Sequence, residues 1–308
     1  PWHRGAPPEV ARPRALANTR MGCFFRGRSS HAAASPHLGR SALDAVELMS
    51  VGVQLLREHV PQDSRIHYAM LDSGGIAPNV VQAKAAVRYA IRARDVHAMF
   101  DLNERVKRVA QGAAMMTDTK VDISIMSAVS NLLGNRPLEE AMQRNLEALG
   151  PVPFDAADLA FAAEIQGTLS TEEIDSCYRK TGIKPTKPLP LSDYIIPLDT
   201  HGEVMIGSTD VGDVSWVIPT VQAHIPTMAI GTPGHSWQLT AQGKMPAAHK
   251  GLAHVAKVMA ATAIDALTDK VLLAQVKKAH FEQVSEKPYH CPIPAEVNPP
   301  LQPRPDNL

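Results

Sequence analysis

The stretch GRSSHAAASPHLGRSALDAVELM, residues 27–49, decides how the first half of the chain is read. It passes from a loop of small residues carrying His31 and His37 into a run whose apolar positions recur every three or four residues. That spacing predicts a helix from about Pro36 to His59, with Ser35 as N-cap and proline at the first helical position. Leu38, Ala42, Ala45, Val46, Met49, Val53 and Leu56 then lie on one face, which must be buried against something.

The flanking segments supply the opposing surface. NTRMGCFFRG, residues 18–27, reads as a strand before the loop, and RIHYAMLDS, residues 65–73, as a strand after the helix. The turn GGIAPN leads into KAAVRYAIRA, residues 84–93, whose alternation sends Val87, Tyr89 and Ile91 to one face and Lys84, Arg88 and Arg92 to the other. A second helix is predicted from about Asp95 to Met116, with Val96, Met99, Phe100, Val106, Val109, Ala110 and Ala113 inward, and KVDISIMSAV, residues 120–129, as a fourth strand. The order β-α-β-β-α-β suits a ferredoxin-like layer with both helices on one sheet face, over about residues 16–131.

Beyond Asn131 the pattern changes, and residues 132–308 read as an α/β layer with few strands of its own. LEEAMQRNLEAL and DAADLAFAAEIQ predict helices, STEEIDSCYRKTG opens on a capping-box pattern, and PTVQAHIPTMAI predicts a buried strand entering the loop GTPGHSWQ. A long helix is expected from about Lys250 to Leu267. So sparse a sheet leaves helix faces uncovered, so either this assignment is wrong or the layer is incomplete in this chain. Glu139 and Glu140 read as a solvated helical face rather than as metal ligands.

The two ends differ from the rest. PWHRGAPPEVARPRA, residues 1–15, has no periodicity and reads as an atypical arm outside the folded domain, and the proline-rich end EKPYHCPIPAEVNPPLQPRPDNL reads as extended chain. Among 308 residues, 31 Lys and Arg balance 31 Asp and Glu, which argues against a nucleic-acid or anionic-membrane partner. Three cysteines without C-x-x-C spacing argue against a disulfide framework and a thiolate zinc site, and with no apolar run of membrane length the expected location is cytoplasmic.

Three runs, GRSSHAAASPHLGRSALDA, GGIAPNVVQAKAAVRYAIR and GSTDVGDVSW with GTPGHSWQ, together resemble the dimetal amidohydrolases that include aminoacylases, carboxypeptidase G and succinyl-diaminopimelate desuccinylase. The resemblance extends from about Leu16 to the C-terminus. It implies a metal-dependent catalytic α/β domain with an inserted ferredoxin-like lid, two lids pairing to make a homodimer. It also implies cleavage of an N-acyl or N-aroyl amino acid with a free carboxylate, such as p-aminobenzoyl-glutamate, and leaves room for a second, different subunit. By position, His31 matches the lid histidine that stabilises the oxyanion in the partner's site, and Asn79 and Arg92 match the lid residues that hold the substrate carboxylate. His235 matches the last metal ligand. The complete enzyme would hold two divalent ions, Zn or Mn, whose other ligands are expected from a segment before the lid.

Each residue has an ordinary structural reading beside that one. A histidine in such a loop caps backbone groups, Asn79 after proline makes a turn, Arg92 at a strand end is a solvated cation, and Asp210 and Asp213 make Asx turns. His37, in the expected first helical turn, reads equally as structural or as a support behind the site. Two function classes follow: a metal-dependent amidohydrolase, or a non-catalytic truncated paralogue that keeps the dimerising lid. A serine hydrolase built on Ser236 lacks a G-x-S-x-G elbow.

Overall fold

The computed structural model describes residues 1–5, 7–11, 15–200 and 207–299. In chain order the elements are β1 (Trp2–Gly5), β2 (Glu9–Ala11), β3 (Ala17–Arg26), α1 (Ala42–Leu56), β4 (Arg65–Asp72), β5 (Lys84–Ala93), α2 (Val96–Met116) and β6 (Lys120–Val129). There follow α3 (Arg136–Leu149), α4 (Ala156–Gln166), α5 (Thr171–Thr181), α6 (Val211–Val217), β7 (Gln222–Pro226), α7 (Trp237–Gln242), α8 (Pro246–Thr268) and α9 (Lys270–Glu286). The chain divides into two units.

One unit comprises residues 15–132 with 206–213 and 290–308. Its four strands form an antiparallel sheet in the order β4-β5-β3-β6. Helices α1 and α2 pack against each other and against that sheet. The inward residues of β3 (Met21, Cys23, Phe25) and β5 (Val87, Tyr89, Ile91) are almost wholly buried against Ala45, Val46, Met49 and Val53 of α1 and Val106, Ala110 and Ala113 of α2. Period two on the strands and 3.6 on the helices brings these residues to one layer, and burying each of the Val, Ile, Met and Phe side chains stabilises by about 1.5–3 kcal/mol. Cys23 lies in this layer, and burial pushes its thiol up to about 12, so it is packing material rather than a nucleophile.

The first helix starts later than its apolar spacing suggests. Pro36–Leu38 makes one 3-10 turn, and α1 begins at Ala42 with Ser41 as N-cap, its hydroxyl accepting from the Asp44 N–H at 3.1 Å. The cause is tertiary. Arg28 and Arg40 exchange backbone hydrogen bonds of 2.8 and 2.9 Å, which holds Arg40 extended and interrupts the helix. Gly27 permits this approach, because a Cβ there would stand 1.9 Å from the Arg40 carbonyl oxygen. The second helix begins as expected, with Asp95 capping the Ala98 N–H at 2.8 Å.

The other unit comprises residues 1–14, 133–205 and 214–289. Its three-stranded sheet has the order β1-β7-β2, with β1 parallel and β2 antiparallel to β7. This corrects the reading of the opening stretch as an arm: Trp2–Gly5 and Glu9–Ala11 pair with β7 on its two sides. Val10 is buried with Ala223 and Ile225 of β7, Met142 and Leu146 of α3, and Val255 and Val258 of α8. Prolines and arginines mask these short strands, whose stability lies in pairing rather than in local pattern. Helix α9 lacks a strong apolar stripe and so gives little signal in the sequence: of its seventeen residues only Leu272 and Val276 are buried. The sequence from Lys287 to residue 299 contains no helix or strand, and residues 300–308 lie outside the described part.

Glu139 needs a second correction. Instead of facing solvent it is buried at 8% exposure, and its Oε1 accepts from the Asn135 N–H at 3.1 Å at the start of α3. Glu140 does face solvent, paired with Arg136 at 2.7 Å.

His254 on α8 is buried at 6% exposure with its Nε2 lacking a partner. Burial holds its pKa below the ordinary histidine value, an effect partly opposed by the Gly150 carbonyl and aided by Lys257. The unfolded chain therefore binds a proton that the folded chain does not. Stability contributed by the neutral ring is fully present above the unfolded pKa and is lost as pH falls through the folded one. The urea midpoint is expected to fall between pH 7.5 and pH 5, and His254→Gln should flatten that part of the dependence. An identical slope in the variant would assign the effect elsewhere.

Candidate functional site

In the unit built on β3–β6, two loops are zipped together. The Val81 N–H donates to the Ser30 carbonyl at 3.0 Å, the Ala32 N–H to the Asn79 carbonyl at 2.9 Å, and His31 bridges Val80. His31 and Asn79 are thus neighbours on one exposed loop cluster. The His31 ring has a defined role there: Nδ1 accepts from the Ala33 and Ala34 N–H groups at 3.2 and 3.1 Å. An Nδ1 that accepts carries no proton, so in the neutral ring the proton sits on Nε2, a hydrogen-bond donor. His37 lies in the 3-10 turn, and its carbonyl accepts from Arg40 at 3.2 Å.

Arg92 is not part of that cluster. It sits near the far end of β5, whose Lys84 end adjoins the His31 loop, and eight residues of extended strand span roughly 27 Å. Its side chain shares the sheet face opposite the helices with Asn18, its register partner on β3, and its Nε is buried without a partner. Asp213 does not make the local turn expected of it. Its carboxylate accepts from the Ser130 N–H at 3.1 Å and hydroxyl at 2.7 Å, clasping the end of β6.

His235 belongs to the other unit, in the loop that follows β7. Its φ of +59° is left-handed, a conformation histidine tolerates better than most residues. Gly231 at φ +94° makes the preceding turn, and Ser236 caps α7 by accepting from the Leu239 N–H at 3.2 Å. His235 is exposed and lines a cleft of about 1090 Å³. The same cleft holds three residues that sequence reading passes over: His3 on β1, Glu9 on β2 and His224 on β7. His224 Nδ1 and Glu9 Oε1 are 2.8 Å apart, and the His3 and His224 rings meet edge to face at 5.9 Å. No spacing motif announces them, because three separate strands bring them together.

Among the described residues no group of three or more His, Cys, Asp or Glu side chains is placed to hold a metal ion. His235 and His3, with His224 already committed to Glu9, do not supply the donor set of a two-ion centre. Also among the described residues, no helix is long and apolar enough to cross a membrane.

Residues 15–115 match the family model described as a peptidase dimerisation domain. Over 308 aligned positions the chain is 42% identical to the subunit designated B of the p-aminobenzoyl-glutamate hydrolase of Escherichia coli, covering 97% of this chain and 64% of that protein. It is 28% identical to the Xaa-Arg dipeptidase of Mus musculus over 82% of this chain and 49% of that one. The chain thus spans 64% and 49% of the lengths of these two relatives. The fold resembles the crystal structure of a putative aminohydrolase from methicillin-resistant Staphylococcus aureus, with a TM-score of 0.53 at 13% identity, covering 85% of this chain and 57% of that one. The motifs around His31 and the helix-backed sheet of the matched segment agree with that model, and residues 15–115 of the chain belong to the peptidase dimerisation domain family.

Proposed function

We propose that this chain forms the dimerising and substrate-holding part of a metal-dependent amidohydrolase that cleaves N-acyl or N-aroyl amino acids, with p-aminobenzoyl-glutamate as the first substrate to test. The observation that carries the reading is the 42% identity to a hydrolase of that compound over almost the whole chain. In this reading residues 16–131 are a ferredoxin-like lid inserted in a catalytic domain to which residues 132–308 contribute, and the protein works as a homodimer. His31 donates from Nε2 to the oxyanion, Asn79 and Arg92 hold the carboxylate, and His235 is one metal ligand.

The separation of Arg92 from His31 supports the dimer. Two functional ends of one sheet roughly 27 Å apart serve a single small substrate most simply if each end works in a different site of a symmetric pair. The sheet order leaves β4 at an edge, with Tyr68 and Met70 exposed on it, and α1 exposes Leu48, Val51 and Leu55 at helical spacing. An open edge and an uncovered apolar stripe are features that pairing removes.

Two divalent ions would activate water and polarise the amide carbonyl in such an enzyme. The donor set around His235 falls short of holding them, so the chemistry calls for ligands beyond the described residues. That same shortfall favours the second reading, a non-catalytic relative that retains only the pairing module. Joining this chain in a fusion to the part of the Escherichia coli relative that it does not match, and assaying release of p-aminobenzoate, decides between them. Metal-dependent turnover supports the first reading, and a folded, metal-loaded fusion without turnover overturns it. In an active fusion Arg92→Ala should raise KM by about tenfold or more with kcat little changed, since a charge-assisted contact to a carboxylate exists in both ground and transition states.

A further inference from the structure

The sheet face opposite the helices carries more positive charge than one carboxylate requires. Strand alternation puts Arg20 of β3 and Arg88 and Arg92 of β5 on that face, because their neighbours Thr19, Met21, Val87, Tyr89 and Ile91 are buried on the other. Register places Arg20 opposite Ala90, hence diagonal to both Arg88 and Arg92, at about 7–8 Å. Like charges this close destabilise a sheet unless something neutralises them. Arg26, on the same face, has its partner, Asp122 at 2.9 Å. Among the described residues Arg20, Arg88 and Arg92 have none, and Nε of both Arg88 and Arg92 is buried without a hydrogen bond.

The surroundings narrow the ligand. Beside Arg20 a small cavity of about 180 Å³ is lined by Asn18, Ser127, Ser208 and Asp210, and the buried Asn18 Oδ1 and Ser208 Oγ also lack partners. Gly22, the register partner of Arg88, has the Phe24 ring and the Met126 sulfur over it: a Cβ there would lie 2.8 Å from the ring and 3.2 Å from Sδ. The face therefore offers an apolar platform next to three unpaired guanidiniums.

We propose that Arg20 and Arg88 form a second carboxylate subsite beside Arg92, which selects acyl-amino acids bearing a carboxylate on the side chain, with the apolar acyl group over Phe24 and Met126. The proposal rests on the reading of Arg92 as the contact to the main carboxylate and adds the residues that choose the amino acid. A guanidinium pairs with a carboxylate through parallel N–H donors, and without it the anion is left with water alone.

The test is direct binding to the 308-residue chain in EDTA, which separates it from turnover. Titration calorimetry at millimolar ligand compares p-aminobenzoyl-glutamate with p-aminobenzoyl-glutamine, an isostere without the second charge. The glutamate compound should bind about tenfold or more tighter. Arg20→Gln or Arg88→Gln should bring the ratio close to one while leaving the glutamine compound unaffected, Arg20→Lys should keep part of the preference, and Arg92→Gln should weaken both ligands. Melting curves establish that each variant is folded. Equal affinities in the parent chain, no binding of either ligand, or an unchanged ratio in both glutamine variants overturns the proposal. A glutamate preference in the parent chain that is lost in Arg20→Gln or Arg88→Gln, alongside an inactive fusion, would remove the amidase reading and leave the subsite standing.

Discussion

His31→Ala in the active fusion is expected to lower kcat by roughly 100- to 1,000-fold with KM nearly unchanged, the usual loss for removing one oxyanion donor. The reason lies in the two backbone N–H groups at 3.2 and 3.1 Å that occupy Nδ1 and leave Nε2–H as the donor. Alanine removes the donor, and the loop keeps its other ties, through Ser30, Ala32 and Val80. His31→Gln, which has an N–H of its own, should recover part of the loss, whereas a purely structural role would show instead as a lowered melting temperature in both variants. Mixing His31→Ala subunits with His235→Ala subunits should regenerate activity, since a hybrid dimer holds one site with both histidines. No recovery, once subunit exchange has been demonstrated, would mean that His31 serves its own subunit.

Val51→Asp combined with Leu55→Asp should convert the protein to a monomer at micromolar concentration, weakening self-association by at least about 100-fold. Both residues are exposed on α1, at 58% and 61%, and contribute nothing to the core around Met49 and Val53, so the fold should survive. In a two-fold pair every substitution is present twice, and each would bury a carboxylate without a partner. Sedimentation equilibrium reads the outcome, and an undiminished dimer would move the interface to another surface. In the fusion, activity should fall with the dimer if, as proposed, each site draws His31 from the partner.

Much of the βαββαβ half is legible in the sequence because its elements are long and their periods unambiguous. The alternation of Val87, Tyr89 and Ile91 and the stripe through Ala42, Val46, Met49 and Val53 each demand a buried face, and burial is what they receive. Legibility fails where a distant partner outweighs local preference. The run from Pro36 is compatible with helix, and only the pairing of Arg40 with Arg28 delays α1 to Ala42. His3 and Glu9 sit in a stretch of prolines and arginines that resembles an unstructured tail until β7 pairs with it on both edges.

Sequence alone carries the periodicities, the caps at Asp95 and Ser170, and the motifs on which the proposed roles of His31, Asn79, Arg92 and His235 rest. Such signals reside within a few residues and need no partner to exist. Tertiary structure alone decided that His31 and Asn79 share a loop cluster, that Arg92 stands at the other end of the sheet beside Arg20 and Arg88, and that His3, His224 and His235 line one cleft. Each of those facts depends on which strand lies beside which. Strand pairing is settled by the burial of a whole layer and by backbone hydrogen bonds between segments as far apart in sequence as Trp2 and Ala223, quantities that no local window of sequence contains.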